Sequence, residues 1–79
     1  MTTAEVLLEI KQAIENAPRN GYVAELHVQC LKHSAELEGV SGSEFCSSLG
    51  IGKSFGTEFA KMKKISGRLK NAGLKVELL

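Results

Sequence analysis

Residues 41–71 read SGSEFCSSLGIGKSFGTEFAKMKKISGRLKN, a stretch in which two helical patterns flank a glycine-rich turn. Ser41 and Glu44 have the spacing of a capping box, in which the first side chain accepts a hydrogen bond from the amide three residues later. This box predicts a short helix over residues 43–49. Gly50 ends that helix, because glycine adopts the left-handed conformation that closes a helix at little cost.

A longer helix is predicted over residues 54–71, with Ser54 as its cap and Gly73 just past its end. Successive residues of a helix lie 100° apart, so this helix has two different sides. Its core side is formed by Phe55, Phe59, Met62, Ser66 and Leu69. The opposite side is a basic ridge, whose members on the helix, or at the turn before it, all lie within about 40° of the direction of Thr57. The ridge consists of Lys53, Thr57, Lys61, Lys64, Arg68 and Asn71.

The first half of the chain predicts two further helices. Thr2 and Glu5 form another capping box and open a helix over residues 3–16, which Pro18 helps to end. The segment after it fits an alternating strand from residue 22 to residue 30 as well as a helix, since both spacings are present. Its length without a turn signal favours a helix over residues 23–38.

The last residues, 74–79, alternate in polarity and predict a short strand. A single strand needs a partner, which is either the segment around Tyr22 or the same strand of a second chain. The second possibility predicts a homodimer. The sequence therefore indicates a mainly α, four-helix domain, residues 1–79, with one C-terminal strand.

Composition places the chain among small globular proteins. It has 79 residues, of which 43% are hydrophobic and 24% charged, values close to those of ordinary folded domains. Two cysteines, no secretory leader and no long apolar run predict a cytoplasmic protein without a membrane span. Nothing in the sequence suggests a cofactor or a small-molecule substrate.

Charge is distributed unevenly along the chain. Residues 1–52 contain three cationic residues and seven glutamates, a net charge of −4, whereas residues 53–79 contain seven cationic residues and two glutamates, a net charge of +5. Such a split suggests one face for a polyanion. An ordinary solvated lysine face, or attraction between the two halves of the chain, would explain the charges equally well.

The short helix, glycine turn and longer helix resemble the helix-turn-helix of DNA-binding regulators. Cys46 is the small residue four positions before the turn glycine Gly50, and the apolar positions of the motif are occupied by Phe45, Leu49, Ile51 and Phe59. Gly56 departs from the motif, which has a branched apolar residue at that position. Over a longer stretch, residues 26–37 and 52–58 are similar to a family of small bacterial helix-turn-helix-like domains.

The resemblance implies a small transcriptional regulator whose second helix enters the major groove of double-stranded DNA. Residues in its first turns are the candidates for reading bases: Lys53, Ser54, Thr57 and Lys61. Lys64 and Arg68 are better placed for phosphates, and Asn71 continues the same ridge. Free amides at the start of the helix, near Ser54 and Phe55, are expected to favour an anion as well.

Other kinds of function are weaker interpretations of the same residues. The Gly52-Lys53-Ser54 run resembles the end of a phosphate-binding loop, but Ser47 stands where that motif requires a glycine. Four potential zinc ligands, which are His27, Cys30, His33 and Cys46, lack a spacing that would let them converge. No catalytic pair is evident, so an enzyme is not expected. The main alternative to DNA binding is a protein-interaction module, such as a small inhibitor or adaptor.

Overall fold

The computed structural model describes residues 2–79, and these residues confirm the mainly α, four-helix prediction. Two short 3-10 turns, at Arg19–Gly21 and Val76–Leu78, complete the secondary structure. None of the helices in the described part is long and apolar enough to cross a membrane. The four helices are α1 (Thr3–Glu15), α2 (Tyr22–Lys32), α3 (Gly42–Leu49) and α4 (Phe55–Asn71).

Local sequence signals account for the ends of α1 and α3. The Thr2 amide donates to the Glu5 carboxylate at 3.0 Å and the Glu5 amide donates to the Thr2 hydroxyl at 3.2 Å, which completes the predicted capping box. At α3, only the Glu44 amide to Ser41 hydroxyl bond of the second box forms. Gly50 ends α3 with a φ of 69°, the left-handed conformation expected of a glycine at this position.

The core lies where α1 and α4 pack against α2 and α3. At its centre the rings of Phe45 on α3 and Phe59 on α4 stack, with centroids 4.2 Å apart and planes 15° apart. Tyr22 and Phe55 meet edge to face at 6.1 Å beside this stack. The buried apolar residues are Val6, Leu7, Ile10, Ile14, Leu26, Cys30, Leu37, Val40, Phe45, Cys46, Leu49 and Phe59.

Gly56, the residue that departs from the helix-turn-helix pattern, lies against the first residue of α3, Gly42. A Cβ built on Gly42, in the first turn of α3, would be 3.2 Å from the Gly56 Cα and 3.3 Å from its carbonyl oxygen. Real Cβ atoms rarely come this close to backbone. The absence of a side chain at Gly42 therefore lets the first turns of the two helices touch, whereas a Cβ on Gly56 would lie at an ordinary 3.7 Å from the Gly42 backbone.

The prediction of a helix over residues 23–38 is wrong for residues 33–38, because α2 ends at Lys32. Successive turns follow, in which the Leu37 amide donates to the His33 carbonyl and the Val40 amide to the Leu37 carbonyl. Leu37 and Val40 are buried by this path. Turns that place apolar residues in the core keep the same periodicity as a helix, so the spacing of side chains could not distinguish the two.

Lys63 of α4 ties this turn segment to the rest of the domain. Its ammonium donates to the carbonyl oxygens of Glu38 at 3.0 Å and Val40 at 3.1 Å. The same group lies 4.9 Å from the centre of the Phe59 ring, a cation–π distance. Lys63 thus satisfies two carbonyls that have no helical partner in this turn segment.

The predicted strand over residues 74–79 is also wrong. Within the described residues there is no strand to pair with it, and the Leu78 amide donates to the Lys75 carbonyl in a 3-10 turn. A lone extended segment would leave its backbone groups unbonded, whereas the turn bonds some of them locally. The C-terminal turn packs against α2. The strand-mediated homodimer therefore loses the feature that suggested it.

The contact between the two helix starts predicts opposite effects for two glycine substitutions. Gly42→Ala should lower the free energy of unfolding by about 1–3 kcal/mol, because the backbone of Gly56 cannot move aside. Gly67→Ala, in a part of α4 where a Cβ meets nothing within 4 Å, should raise it by about 1 kcal/mol. Urea denaturation of both variants measures the difference. Equal stability of Gly42→Ala and the parent chain would contradict the close contact.

Lys63 is predicted to contribute to stability where its neighbour Lys64 does not. Lys63→Met should destabilise the domain by about 1–3 kcal/mol, since two carbonyls lose a charged donor. Lys64→Met, the matched control on an exposed position of the same helix, should change stability by less than about 0.5 kcal/mol. Thermal unfolding followed by circular dichroism checks both values. Equal midpoints for the two variants would show that the Lys63 bonds contribute nothing.

Candidate functional site

The structure leaves every residue of the basic ridge exposed. Lys53 belongs to the turn before α4, and the other ridge residues follow one another along α4 on the side away from the buried Phe59 and Ser66. Ser54, the remaining candidate for base contact, is exposed beside Lys53. The seven residues predicted to contact DNA are therefore all accessible to solvent.

One acidic side chain, Glu58, lies beside the ridge and is held by α2. One of its carboxylate oxygens is 3.1 Å from the His27 Nε2, and the other is 3.8 Å from the Lys61 ammonium. The bond to His27 fixes the carboxylate on the α2 side of α4. The pair with Lys61 is solvent-exposed and contributes little to stability. Lys61 therefore remains available to an external anion that competes for it.

The start of α4 differs from the expectation of an anion site formed by free amides. The Ser54 side chain makes no capping hydrogen bond. Instead, the amides of Phe55 and Gly56 donate to the carbonyls of Gly52 and Lys53, at 3.1 and 3.0 Å, in tight turns that lead into the helix. Because these amides are already bonded, the expectation that the Phe55 amide favours an anion is wrong. Contacts at this end depend on side chains.

The cations of α4 divide into two groups with different surroundings. Lys63 faces the turn segment and is engaged by its carbonyls, whereas Lys61, Lys64 and Arg68 project from the exposed side. The angle of Lys63 on the helix predicts that it lies off the ridge. Helical spacing could not predict its bonds to the carbonyls of Glu38 and Val40, because those residues are distant in the sequence. The ridge therefore carries four positive charges, which belong to Lys53, Lys61, Lys64 and Arg68.

The cysteines and histidines considered as metal ligands or nucleophiles have other surroundings. Both thiols are buried. Burial, together with the nearby Cys46, raises the pKa of Cys30 to about 12, and burial also raises the pKa of Cys46. Neither thiol is therefore prepared to act as a thiolate near neutral pH. His27 is bonded to Glu58, and the Nε2 of the buried His33 lies 3.9 Å from the Glu9 carboxylate.

Comparison with known proteins identifies the family of the chain. No curated protein and no solved structure matches it significantly. The sequence model of one family, described as an HTH-like domain, matches residues 2–72, which include all four helices and the whole basic ridge. Because the match extends over nearly the entire chain, the protein belongs to the HTH-like domain family.

Proposed function

We propose that this protein binds double-stranded DNA through α4 and acts as a small transcriptional regulator. The observation that carries the proposal is the exposed basic ridge, on a helix that follows a short helix and a glycine turn. Membership of an HTH-like domain family supports the same interpretation. The ridge is accessible along its whole length, as an element that enters a groove must be.

The dimensions of the ridge suit a groove of DNA. From Thr57 to Asn71 the helix rises about 21 Å, at 1.5 Å for each residue. The major groove is about 12 Å wide and admits one helix, so the ridge can reach from the base edges to the phosphates that border the groove. Lys53, Ser54, Thr57 and Lys61 are the side chains we assign to bases. Lys64, Arg68 and Asn71 are assigned to phosphates and sugars.

The charge of the rest of the chain favours one orientation on the polyanion. The seven glutamates before residue 53 belong to the segment that forms α1, α2 and α3, whereas the ridge belongs to α4 and the turn before it. A uniformly negative duplex repels the first group and attracts the second. Long-range electrostatics would therefore direct α4 towards the DNA before any specific contact forms.

A protein-interaction module is the second candidate function, and exposed apolar residues favour it. Leu8 on α1 is 55% exposed and Leu78 in the C-terminal turn is 77% exposed. Beside Leu8 is a shallow depression to which Leu7, Lys11 and Ser48 contribute. A partner helix could bury this surface. Such an interaction would not require the basic ridge, so ridge variants separate the two functions.

The proposal includes a homodimer that works in the cytoplasm. One recognition helix makes few contacts, and regulators of this kind gain affinity by placing two such helices in successive major grooves. The exposed Leu8 and Leu78 are surfaces that a second copy could cover. Two free buried thiols are in keeping with a reducing compartment.

Charge reversal of the ridge should abolish DNA binding while the fold is retained. For the parent chain on random duplex DNA, the four ridge cations predict a slope of about −4 in a plot of log affinity against log salt. The triple variant Lys61→Glu, Lys64→Glu, Arg68→Glu should bind at least about 100-fold more weakly at about 50 mM salt. Fluorescence anisotropy measures the binding, and circular dichroism should remain that of the parent.

A matched control changes the net charge by the same amount elsewhere. The variant Lys11→Glu, Arg19→Glu, Lys75→Glu alters three cations that lie outside α4. It should keep most of the affinity and nearly the same salt slope. Equal loss in the two triple variants would show that net charge, and not the ridge, determines binding. No binding by the parent chain at about 50 mM salt would reject the DNA proposal.

Oligomeric state is predicted to be a dimer when the protein is bound to DNA. Sedimentation equilibrium of the protein with a duplex that holds only one site should give a mass of two chains per duplex, because unlinked monomers would place only one chain there. Leu8→Lys and Leu78→Lys test the two exposed surfaces separately, and the variant that alters the dimer interface should give only one chain per duplex. A single chain per duplex at tens of micromolar protein would contradict the dimer and leave the ridge as a monomeric contact.

A further inference from the structure

A cleft lies beside the basic ridge, between α4 and the turn segment that follows α2. Its volume is about 290 Å³, and Ser34 and Glu38 form one wall while Lys63, Gly67 and Lys70 contribute to the other. Lys64 lines the cleft as well and also belongs to the ridge. This volume is close to the lower end of the range for pockets that hold small ligands.

Ser34 is the least expected member of the cleft. The residue is only 7% exposed, and its hydroxyl, which is buried, has no hydrogen-bond partner among the described residues. Buried polar groups in native proteins are almost always hydrogen-bonded, because an unsatisfied one destabilises the fold. The hydroxyl oxygen has almost no accessible surface, so it reaches a ligand in the cleft only after the side chain rotates about χ1. After that rotation the serine would supply a donor that none of the residues 2–79 uses.

Gly67 is the second unexpected residue. Glycine within a helix is unfavourable, and close packing often explains it, as it does for Gly42 at the start of α3. At Gly67 no packing reason exists, since a Cβ would meet no atom within 4 Å. Glycine here keeps one wall of the cleft open. Any larger side chain would extend from α4 into the space between Lys63 and Lys70.

The charges of the cleft favour an anion with several acceptor oxygens. Lys63, Lys64 and Lys70 face a single acidic residue, Glu38, so the lining is cationic. Lys63 is already held in position by the carbonyls of Glu38 and Val40, which reduces the entropy lost when its charge meets a ligand. A phosphate group presents oxygens to several lysines and to a hydroxyl at the same time.

We propose that the cleft formed by Ser34, Lys63, Lys64, Gly67 and Lys70 is a binding site for a phosphate group. The phosphate group could belong to the backbone of DNA or to a phosphorylated small molecule. Lys64 links the cleft to the ridge, so a DNA strand that contacts the ridge passes near it. The site does not depend on the DNA-binding proposal, because free phosphate can occupy it without DNA.

Titration with inorganic phosphate tests the site directly. Backbone amide signals of the ¹⁵N-labelled full chain are followed while chloride is exchanged for phosphate at constant ionic strength and neutral pH. The amides of Ser34, Gly67 and Lys70 should shift along one saturable curve. Gly67→Leu should weaken phosphate binding at least about tenfold by filling the cleft, and Ser34→Ala should weaken it severalfold.

Ala60→Leu is the matched control, since it adds the same side chain at an exposed position of α4 that does not line the cleft. It should bind phosphate as the parent does. Ser34→Ala removes an unsatisfied hydroxyl and should fold at least as stably as the parent, so its phosphate affinity remains measurable. Shifts that never saturate, or a curve for Gly67→Leu that equals that of the parent, would overturn the proposal.

Duplex DNA in place of phosphate identifies the source of the group. If Gly67→Leu weakens binding of both phosphate and DNA, the occupant is a backbone phosphate. If it weakens binding of phosphate alone, the occupant is a phosphorylated small molecule beside the DNA surface. Both results support the site. Because the phosphate titration contains no DNA, failure of the DNA proposal would leave its result unchanged.

Discussion

The packing of α4 on α3 is the constraint on which the rest of this small domain depends. The stacked rings of Phe45 and Phe59 fix the rotation of α4 about its own axis, and the contact of Gly42 with Gly56 fixes how closely its first turn approaches α3. Because these two contacts fix the rotation of α4, only the side opposite Phe59 faces solvent. The direction of every cation on α4 follows from that contact.

The sequence was informative where structure depends on neighbours along the chain. The Thr2 and Glu5 box, the glycine at position 50 and the two-sided pattern of α4 all depend on residues a few positions apart, and each appears as expected. Gly56 looked like a defect in the motif because its partner, Gly42, is fourteen positions away. The exposure of the ridge could likewise be anticipated from helical spacing alone.

Features that depend on distant contacts could not be anticipated in this way. The path after Lys32 is determined by burial of Leu37 and by the bonds from Lys63, which is about two dozen residues away. A prediction in which α2 continues to residue 38 does not place Ser34 beside α4. The cleft between them could therefore not be predicted from the sequence. The C-terminal strand failed for a related reason, since alternation indicates a strand only where an edge is available to pair with it.

The two buried cysteines have a consequence for how long the protein survives under oxidising conditions. Cys30 lies on α2 and Cys46 on α3, both in the core and both with a raised thiol pKa. An oxidant or electrophile reaches them only when these helices separate, and that opening is as rare as unfolding of the core itself. The rate of chemical damage is then governed by the unfolding equilibrium and not by the intrinsic reactivity of the thiols. Any partner that stabilises the fold would also protect the thiols.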